Sequence, residues 1–490
     1  MRRAVVSRGA TPVAVRGRRA RRAVAVAVAR GASMDLGQAL GERLRGETRM
    51  NLPPGRVGAF GVRETLDYLR DPNAFVATRV AKYGPVFKTG FFFKPAVVFG
   101  SRDAVSEFKS FESALPADEA LPETFRELHT AYGALRQSGR EHKATRANFS
   151  KVLGRAALAS YAPVVAEDVR AFVAEKAKEK TMRAGDIKRF ALELLFELFI
   201  GHVPDERYIQ AMYAYNAGLL SLGKFSAEYK KGKQALEELL TYIEAHYRDI
   251  KTSGALERDP KYFFLKQYSE AVDENGARFP DDRIATTAVL MVWGSYIEAA
   301  ALMGHALVLL GDAKNAHALA EVRSEYKATN GGSGIRSLED VTSAKYTEAV
   351  AKESLRVTPQ TAGGLRVNPT NRKLAGYDVP AGYTLTADPR IPFKDEALFP
   401  DVDAFKPERF ISGSAESQRN VVTGDTYFPG GMGQHQCPGI SLAVVMTQIF
   451  LAEFSAAIDS WTPTSTPTYV QIPIVILADD CVFDLEPATA

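Results

Sequence analysis

The chain has 490 residues, 46% of them hydrophobic and 24% charged, the composition of a globular protein with a large core and not of a disordered one. Its formal charge of +4 hides an asymmetry: residues 1–34 carry nine arginines and no acid, so the remaining 53 basic and 58 acidic side chains leave the body at net −5. A slightly acidic body gives a nucleic-acid partner no support.

Residues 1–34 are rich in Arg, Ala and Val and free of acids, the composition of an organelle transit peptide. They lack the continuous apolar core of a secretory signal. The expectation is a transit peptide and linker over 1–48, directed to the plastid in preference to the mitochondrion, and a single folded domain over 49–490. No apolar run reaches the ~18–20 residues of a membrane span. The most hydrophobic stretch, 284–310, is interrupted by Glu298 and His305.

Asn51-Leu52-Pro53-Pro54-Gly55 is a rigid turn at which the folded body is expected to begin. Helical spacing follows over 65–83. Runs at 86–93 and 96–99, with Lys94-Pro95 between them, predict a β-hairpin. From 101 to about 356 the pattern is helical, with segments at 103–111, 139–153, 164–179, 187–200, 208–222, 227–250 and 281–310. The last follows Pro280 and opens with Asp281 and Asp282, a favourable helix start. Thr329-Asn-Gly-Gly-Ser333 is a linker. After 356 come short β-like runs, 364–367 and 383–386, and then an apolar helix from 440 to about 458. The predicted fold is mainly α, with a small β portion drawn from both ends of the chain.

The chain has two cysteines, Cys437 and Cys481, too few for a disulfide framework of this length. Cys437 ends a glycine-rich loop, Gly430-Gly431-Met432-Gly433-Gln434-His435-Gln436, and precedes a helix start. Backbone N–H groups there favour a thiolate. The residues alone leave three readings open: a metal ligand, a nucleophile or a buried free thiol. Upstream, Glu353-Ser-Leu-Arg356 places an acid and a base on one helix face. Phe405-Lys-Pro407-Glu408-Arg409-Phe410 supplies a second arginine.

Glu353-x-x-Arg356, then Pro407-Glu408-Arg409-Phe410, then the loop with Cys437-x-Gly439 resembles, in order and spacing, the C-terminal core of the cytochrome P-450 superfamily of heme-thiolate enzymes. The likeness extends over about 51–490. Phe75 to Phe99 resembles the first helix and hairpin of that family. Gly139-Arg-Glu-His142-Lys-Ala-Thr-Arg146 resembles its propionate-binding helix, and Gly363-Gly-Leu-Arg366 a strand whose arginine reaches a propionate.

The resemblance implies one heme-thiolate catalytic domain with a long central helix over heme b, and Cys437 as the iron ligand. Arg146, Arg366, His142 and His435 are the candidate propionate donors, and Gly433 and Gly439 allow close backbone approach to sulfur and porphyrin. Glu353, Arg356 and Arg409 would brace the loop. The sequence departs from the family at several places. The aromatic seven residues before the cysteine is Gly430, for which Phe428 would substitute. The oxygen-site pattern falls on Ser295-Tyr296-Ile297-Glu298-Ala299-Ala300, so its threonine is Ala299 and its glycine is Tyr296. Glu298 with Ser295 would then relay protons.

Two reactions follow from the resemblance. One is monooxygenation of a lipophilic isoprenoid, sterol, carotenoid-derived or fatty-acid substrate, with an external donor (a ferredoxin or reductase). The N-terminal half is similar to retinoid-, sterol- and diterpenoid-oxidising members. The other is reductant-independent rearrangement of fatty-acid hydroperoxides, as in allene oxide synthases and hydroperoxide lyases. A third reading is a heme-binding protein without oxygen chemistry. A monomer without a transmembrane span is expected, compatible with peripheral membrane contact. The substrate pocket is expected from 114–134, 212–222 and 288–300, including Tyr213, Tyr215, Leu219, Leu220, Trp293 and Tyr296.

Overall fold

The computed structural model describes residues 50–221, 223–472 and 474–489; the expected leader over 1–48 lies outside the described residues. Helices α1 (Val62–Arg70) and α2 (Pro72–Tyr83) meet at Asp71. Its carboxylate accepts from the Ala74 N–H at 2.9 Å and caps α2, which opens on Pro72.

The hairpin is real, but its turn lies two residues earlier than expected. Strand β1 is Val86–Phe91 and β2 is Lys94–Phe99, joined by Phe92 and Phe93 at φ 47° and 64°. A two-residue hairpin needs positive φ at both positions, which sequence reasoning assigns to Asn or Gly. Tertiary contacts hold the two phenylalanines there instead. Phe92 packs on Tyr68 and Phe91, and the Phe93 N–H donates to Thr65 Oγ1 at 2.9 Å.

Helices α3 (Arg102–Phe111), α4 (Glu123–Leu128) and α5 (Gly139–Leu153) lead to α6 (Arg155–Glu179). The sequence predicts a start after Pro163, yet α6 runs through that proline. The turns before it bury Leu158, Tyr161 and Ala162, and the Tyr161 hydroxyl donates to Val152 O at 3.1 Å. Packing there outweighs the missing N–H.

Strand β3 (Thr181–Arg183) is followed by α7 (Ala184–Ile200), α8 (Glu206–Leu219), α9 (Ala227–Thr252), α10 (Ala255–Arg258) and α11 (Phe263–Ser269). The long helix α12 (Asp281–Gly311) packs on α7 and α9. It is apolar on nearly all sides, as a helix through a core must be. Trp461 covers its end, donating to Leu307 O at 2.8 Å. Helices α13 (Ala316–Ala328), α14 (Leu338–Ser343) and α15 (Lys345–Val357) follow. The chain then forms β4 (Leu365–Val367), β5 (Arg372–Leu374), β6 (Tyr377–Val379), β7 (Thr384–Ala387), α16 (Ala415–Arg419) and α17 (Ile440–Ala457). It closes with β8 (Ile458–Pro463), β9 (Tyr469–Val470), β10 (Ile476–Leu477) and β11 (Val482–Pro487).

One sheet has the order β1-β2-β7-β4, with β2 parallel to β7, so the N-terminal hairpin and the segment after α15 share it. The smaller sheets are β3-β11-β8, β5-β6 and β9-β10. The mainly α architecture, with β structure from both ends of the chain, is the one the sequence predicts. Helices α12 and α17 are long and apolar enough to cross a membrane by composition, but both are mostly buried against other elements.

Candidate functional site

A cavity of ≈ 470 Å³ opens between α12, the segment 108–149 and the cysteine loop. Of the predicted site residues, Cys437, His435, His142, Arg146, Arg366, Gly439, Ser295 and Glu298 all line it. Gly433 does not. Its φ of +67° suits glycine, but its bare α-carbon makes room for something else: a side-chain carbon there would come 2.6 Å from Glu112 Oε2.

Cys437 lies deep in the protein, yet its side chain is exposed, because what it faces is the cavity. The loop returns on itself through Cys437 N–H donating to Gly430 O at 2.7 Å. A side chain at 430 would crowd the Cys437 β-carbon at 3.2 Å, so the glycine is a steric fit to this loop. Burial pushes the thiol up, against the backbone N–H groups of Gly439 and Ile440 that pull it down. The expected thiolate donors are therefore present, but burial outweighs them. Phe428 does not take the place of the missing aromatic ring. It turns into a separate core cluster, with Phe393 at 5.9 Å.

Glu353 and Arg356 form a bidentate pair at 2.7 Å and 2.7 Å, and Arg409 Nε lies 3.3 Å from Glu353 Oε1, all three essentially inaccessible. The other guanidinium nitrogens donate to the backbone carbonyls of Phe393, Val402, Ala404, Pro400 and Asp401 and to Asn420 Oδ1. The network ties α15 to the strand of chain before the loop. The Tyr427 hydroxyl, donating to Lys352 O at 2.8 Å, carries the tie into the loop itself. None of the three lines the cavity.

The cation cluster differs from expectation in one residue that sequence reasoning missed. Glu112, at the end of α3, accepts from Arg366 Nε at 2.7 Å and from His435 Nδ1 at 2.9 Å. Burial alone would raise its carboxyl, but His435 and Arg366 hold it below its ordinary value. Its second oxygen, Oε2, is buried without a partner. No motif surrounds Glu112, and its partners are 254 and 323 residues away.

His142 stacks on His435 at 3.9 Å between ring centroids. Burial, then the charges of His435 and Arg146, lower it to about 4. Arg146 lines the cavity with no hydrogen bond or ion pair among the described residues. A thiol on the cavity wall and an unpartnered guanidinium fit a ligand that carries both a metal and carboxylates.

On α12 the cavity is lined by Thr287, Leu290, Met291, Trp293, Gly294, Ser295, Glu298, Ala299 and Leu302, most of them at the three- and four-residue spacing of one helix face. Tyr296 is on the far side, buried with Tyr213 at 6.2 Å, and blocks nothing. Gly294 is the residue that leaves open space: nothing lies within 4 Å of where its side chain would begin. Ala299 lines the cavity and Ala300 does not. Burial pushes the Glu298 carboxyl up to about 8. Gln360, which sequence reasoning did not single out, donates to Glu298 O at 3.0 Å.

The expected contribution of 212–222 is absent from the cavity among the described residues; Tyr215 instead donates to Leu128 O at 3.0 Å within the core. The 114–134 segment does contribute, through Ala117, Leu121, His129, Tyr132, Gly133 and Ala134.

A cytochrome P450 family model matches residues 59–454. The chain is 26% identical over 453 residues to cytochrome P450 26A1 of Danio rerio, covering 88% of this chain and 90% of that protein. It is 27% identical over 439 residues to taxane 10-beta-hydroxylase of Taxus cuspidata, covering 86% of each. The solved structure of retinoic acid-bound cyanobacterial CYP120A1 superposes with a TM-score of 0.79 at 21% identity, covering 90% of this chain and 100% of that one, a likeness of fold. The chain belongs to the cytochrome P450 family and is a heme-iron oxidoreductase.

Proposed function

We propose that the protein is a monooxygenase that uses dioxygen and an external electron donor to oxidise an isoprenoid or similarly lipophilic small molecule. The observation that carries this reading is that Cys437 and Glu298 line one cavity whose walls are otherwise largely apolar. The hydroxylase among the relatives supports the reaction type, and the taxane and retinoic acid in the names of similar proteins support an isoprenoid substrate.

Heme b, held through its iron by the Cys437 thiolate, supplies the activation of dioxygen when bound. The chain's own residues have separate tasks. The N–H groups of Gly439 and Ile440 stabilise charge on the sulfur. Arg146, which has no partner of its own, would be the first cation to hold the heme carboxylates, and Arg366, His435 and His142, which line the same cavity, would hold them with it, Arg366 and His435 being already engaged by Glu112. Glu298 is protonated at neutral pH and holds that proton at the cavity wall. There it replaces the hydroxyl that Ala299 and Ala300 cannot offer, and Ser295, one turn earlier on the same face, extends the relay. The apolar lining excludes water and receives the substrate.

The basic segment over 1–34 supports import into a plastid, where a ferredoxin is the donor. The test compares two incubations of the heme-loaded protein. Oxidation of an isoprenoid panel that requires both reductant and dioxygen is the expected result. Rapid loss of a fatty-acid hydroperoxide without reductant, with no oxidation in the other incubation, refutes the reading in favour of hydroperoxide rearrangement.

A further inference from the structure

Glu112, at the end of α3, is an acid among bases. It is 1% exposed and lines the cavity with Arg146, Arg366, His142 and His435, the groups assigned above to the heme carboxylates. Its Oε1 accepts from Arg366 Nε at 2.7 Å and from His435 Nδ1 at 2.9 Å. The cysteine loop is shaped to admit it: Gly433 lies at φ +67°, and a side chain there would begin 2.6 Å from Glu112 Oε2. Burial raises the carboxyl, and His435 and Arg366 more than reverse that rise, so the group is ionised at neutral pH.

A tie between α3 and the cysteine loop does not need this charge. Both hydrogen bonds fall on one oxygen, and Oε2 has no partner. The carbonyl oxygen of a glutamine at 112 could accept the same two bonds. What the carboxylate alone supplies is a full negative charge in a buried place, where charges act strongly on one another. Heme carries two carboxylates, so Glu112 is a third drawing on the same cations. Its charge acts on the iron through the protein interior and requires no contact between Glu112 and heme.

We propose that Glu112 tunes the heme electrostatically: by offsetting Arg366 and His435 it favours ferric over ferrous iron, and it weakens the hold of those cations on the heme carboxylates. The inference rests on the placement of the heme carboxylates proposed above, and not on the reaction. Reduction transfers one electron from the external donor to the ferric iron, and a buried anion nearby opposes the added negative charge. Charge and hydrogen bonding around a heme are among the means by which a protein sets its potential. The consequences are a less tightly held heme and a demand for a strongly reducing donor, the class to which a ferredoxin belongs.

The test is a redox titration of the substrate-free, heme-loaded protein, together with heme transfer to apomyoglobin. Glu112→Gln is expected to raise the ferrous-to-ferric ratio at a fixed potential by about threefold to tenfold, where tenfold is about 59 mV for a one-electron couple. Heme transfer from that variant is expected to be about threefold less favourable, because Arg366 and His435 are freed for the heme carboxylates. Glu112→Asp, which keeps the charge, is expected to stay near the parental potential. A role confined to bracing the loop predicts the opposite for heme transfer, since a lost tie loosens the site. A potential that is unchanged or lower in Glu112→Gln overturns the proposal. So does heme that leaves Glu112→Gln as readily as it leaves the parent or more so, or a rise of equal size in Glu112→Asp. If Glu112→Gln does not fold, Arg366→Gln is compared with the double variant Arg366→Gln/Glu112→Gln, in which the guanidinium partner is removed as well. The double variant is expected to have the higher potential, and equal potentials overturn the proposal. No turnover is involved, so failure of reductant-dependent oxidation leaves this result standing. If Arg146→Leu leaves heme transfer unaltered, the placement of the carboxylates fails and the proposal with it; where that variant responds, a parental potential in Glu112→Gln overturns this proposal alone.

Discussion

Glu298→Gln separates what the long helix does for the fold from what it does for the reaction. The folded-state value of about 8 lies above the ordinary 4.5, so the folded protein keeps the proton in a window where the unfolded chain has released it. A carboxyl raised in this way contributes stability that is fully present below about 4.5 and is lost as pH rises through about 8. Relative to an unshifted carboxyl, the penalty at pH 7 is up to about 3 kcal/mol, and it approaches about 5 kcal/mol above pH 8. Glutamine keeps the shape and cannot ionise. The variant is expected to be more stable than the parent by up to those amounts, with a flatter pH dependence of its urea midpoint between pH 5 and 9. Its reductant-driven dioxygen uptake is expected to fall by about a hundredfold or more, the range of a lost general acid. The gain and the loss together are the mark of a group retained for chemistry at the expense of stability. Equal midpoints at pH 6 and pH 9 in both proteins, or parental uptake in the variant, refute the argument.

Cys437→Ser is expected to abolish the red-shifted Soret band of the reduced carbon monoxide adduct, checked by difference spectroscopy, because an oxygen ligand does not donate charge as a thiolate does. Glu353→Gln leaves two buried guanidiniums facing an amide. The expected loss is about 3–5 kcal/mol, read from urea unfolding, whereas a joint replacement of Glu353, Arg356 and Arg409 by apolar residues loses less. Arg146→Leu removes the unpaired cation of the cavity, and heme transfer to apomyoglobin is expected to become about tenfold to a hundredfold more favourable, the worth of a charged hydrogen bond. An equal effect from Arg140→Leu, an exposed residue nearly two turns earlier and outside the cavity, would count against that assignment.

Much of the site was legible in the sequence because its parts are locally encoded. Cys437, Gly439 and His435 are neighbours in the chain, Glu353 and Arg356 share a helix face, and His142 and Arg146 are one turn apart. The helices were legible for the same reason, since a 3.6-residue period is a local property. The turn at Phe92 and Phe93 was not, because it is held by Tyr68, Phe91 and Thr65 and contradicts the residues' own preferences.

What the sequence by itself determined is the family, the single cysteine of the glycine-rich loop and the absence of threonine beside Glu298. The tertiary structure decided which groups face one another. It brought Glu112 to Arg366 and His435, and it turned Tyr296 away from the cavity and Gly294 toward it. These choices depend on how α12 rotates in the core and on where the 108–135 segment passes over it. Such placements arise from the packing of segments far apart in the chain, and contact between distant segments leaves no periodicity or spacing in either of them to be read.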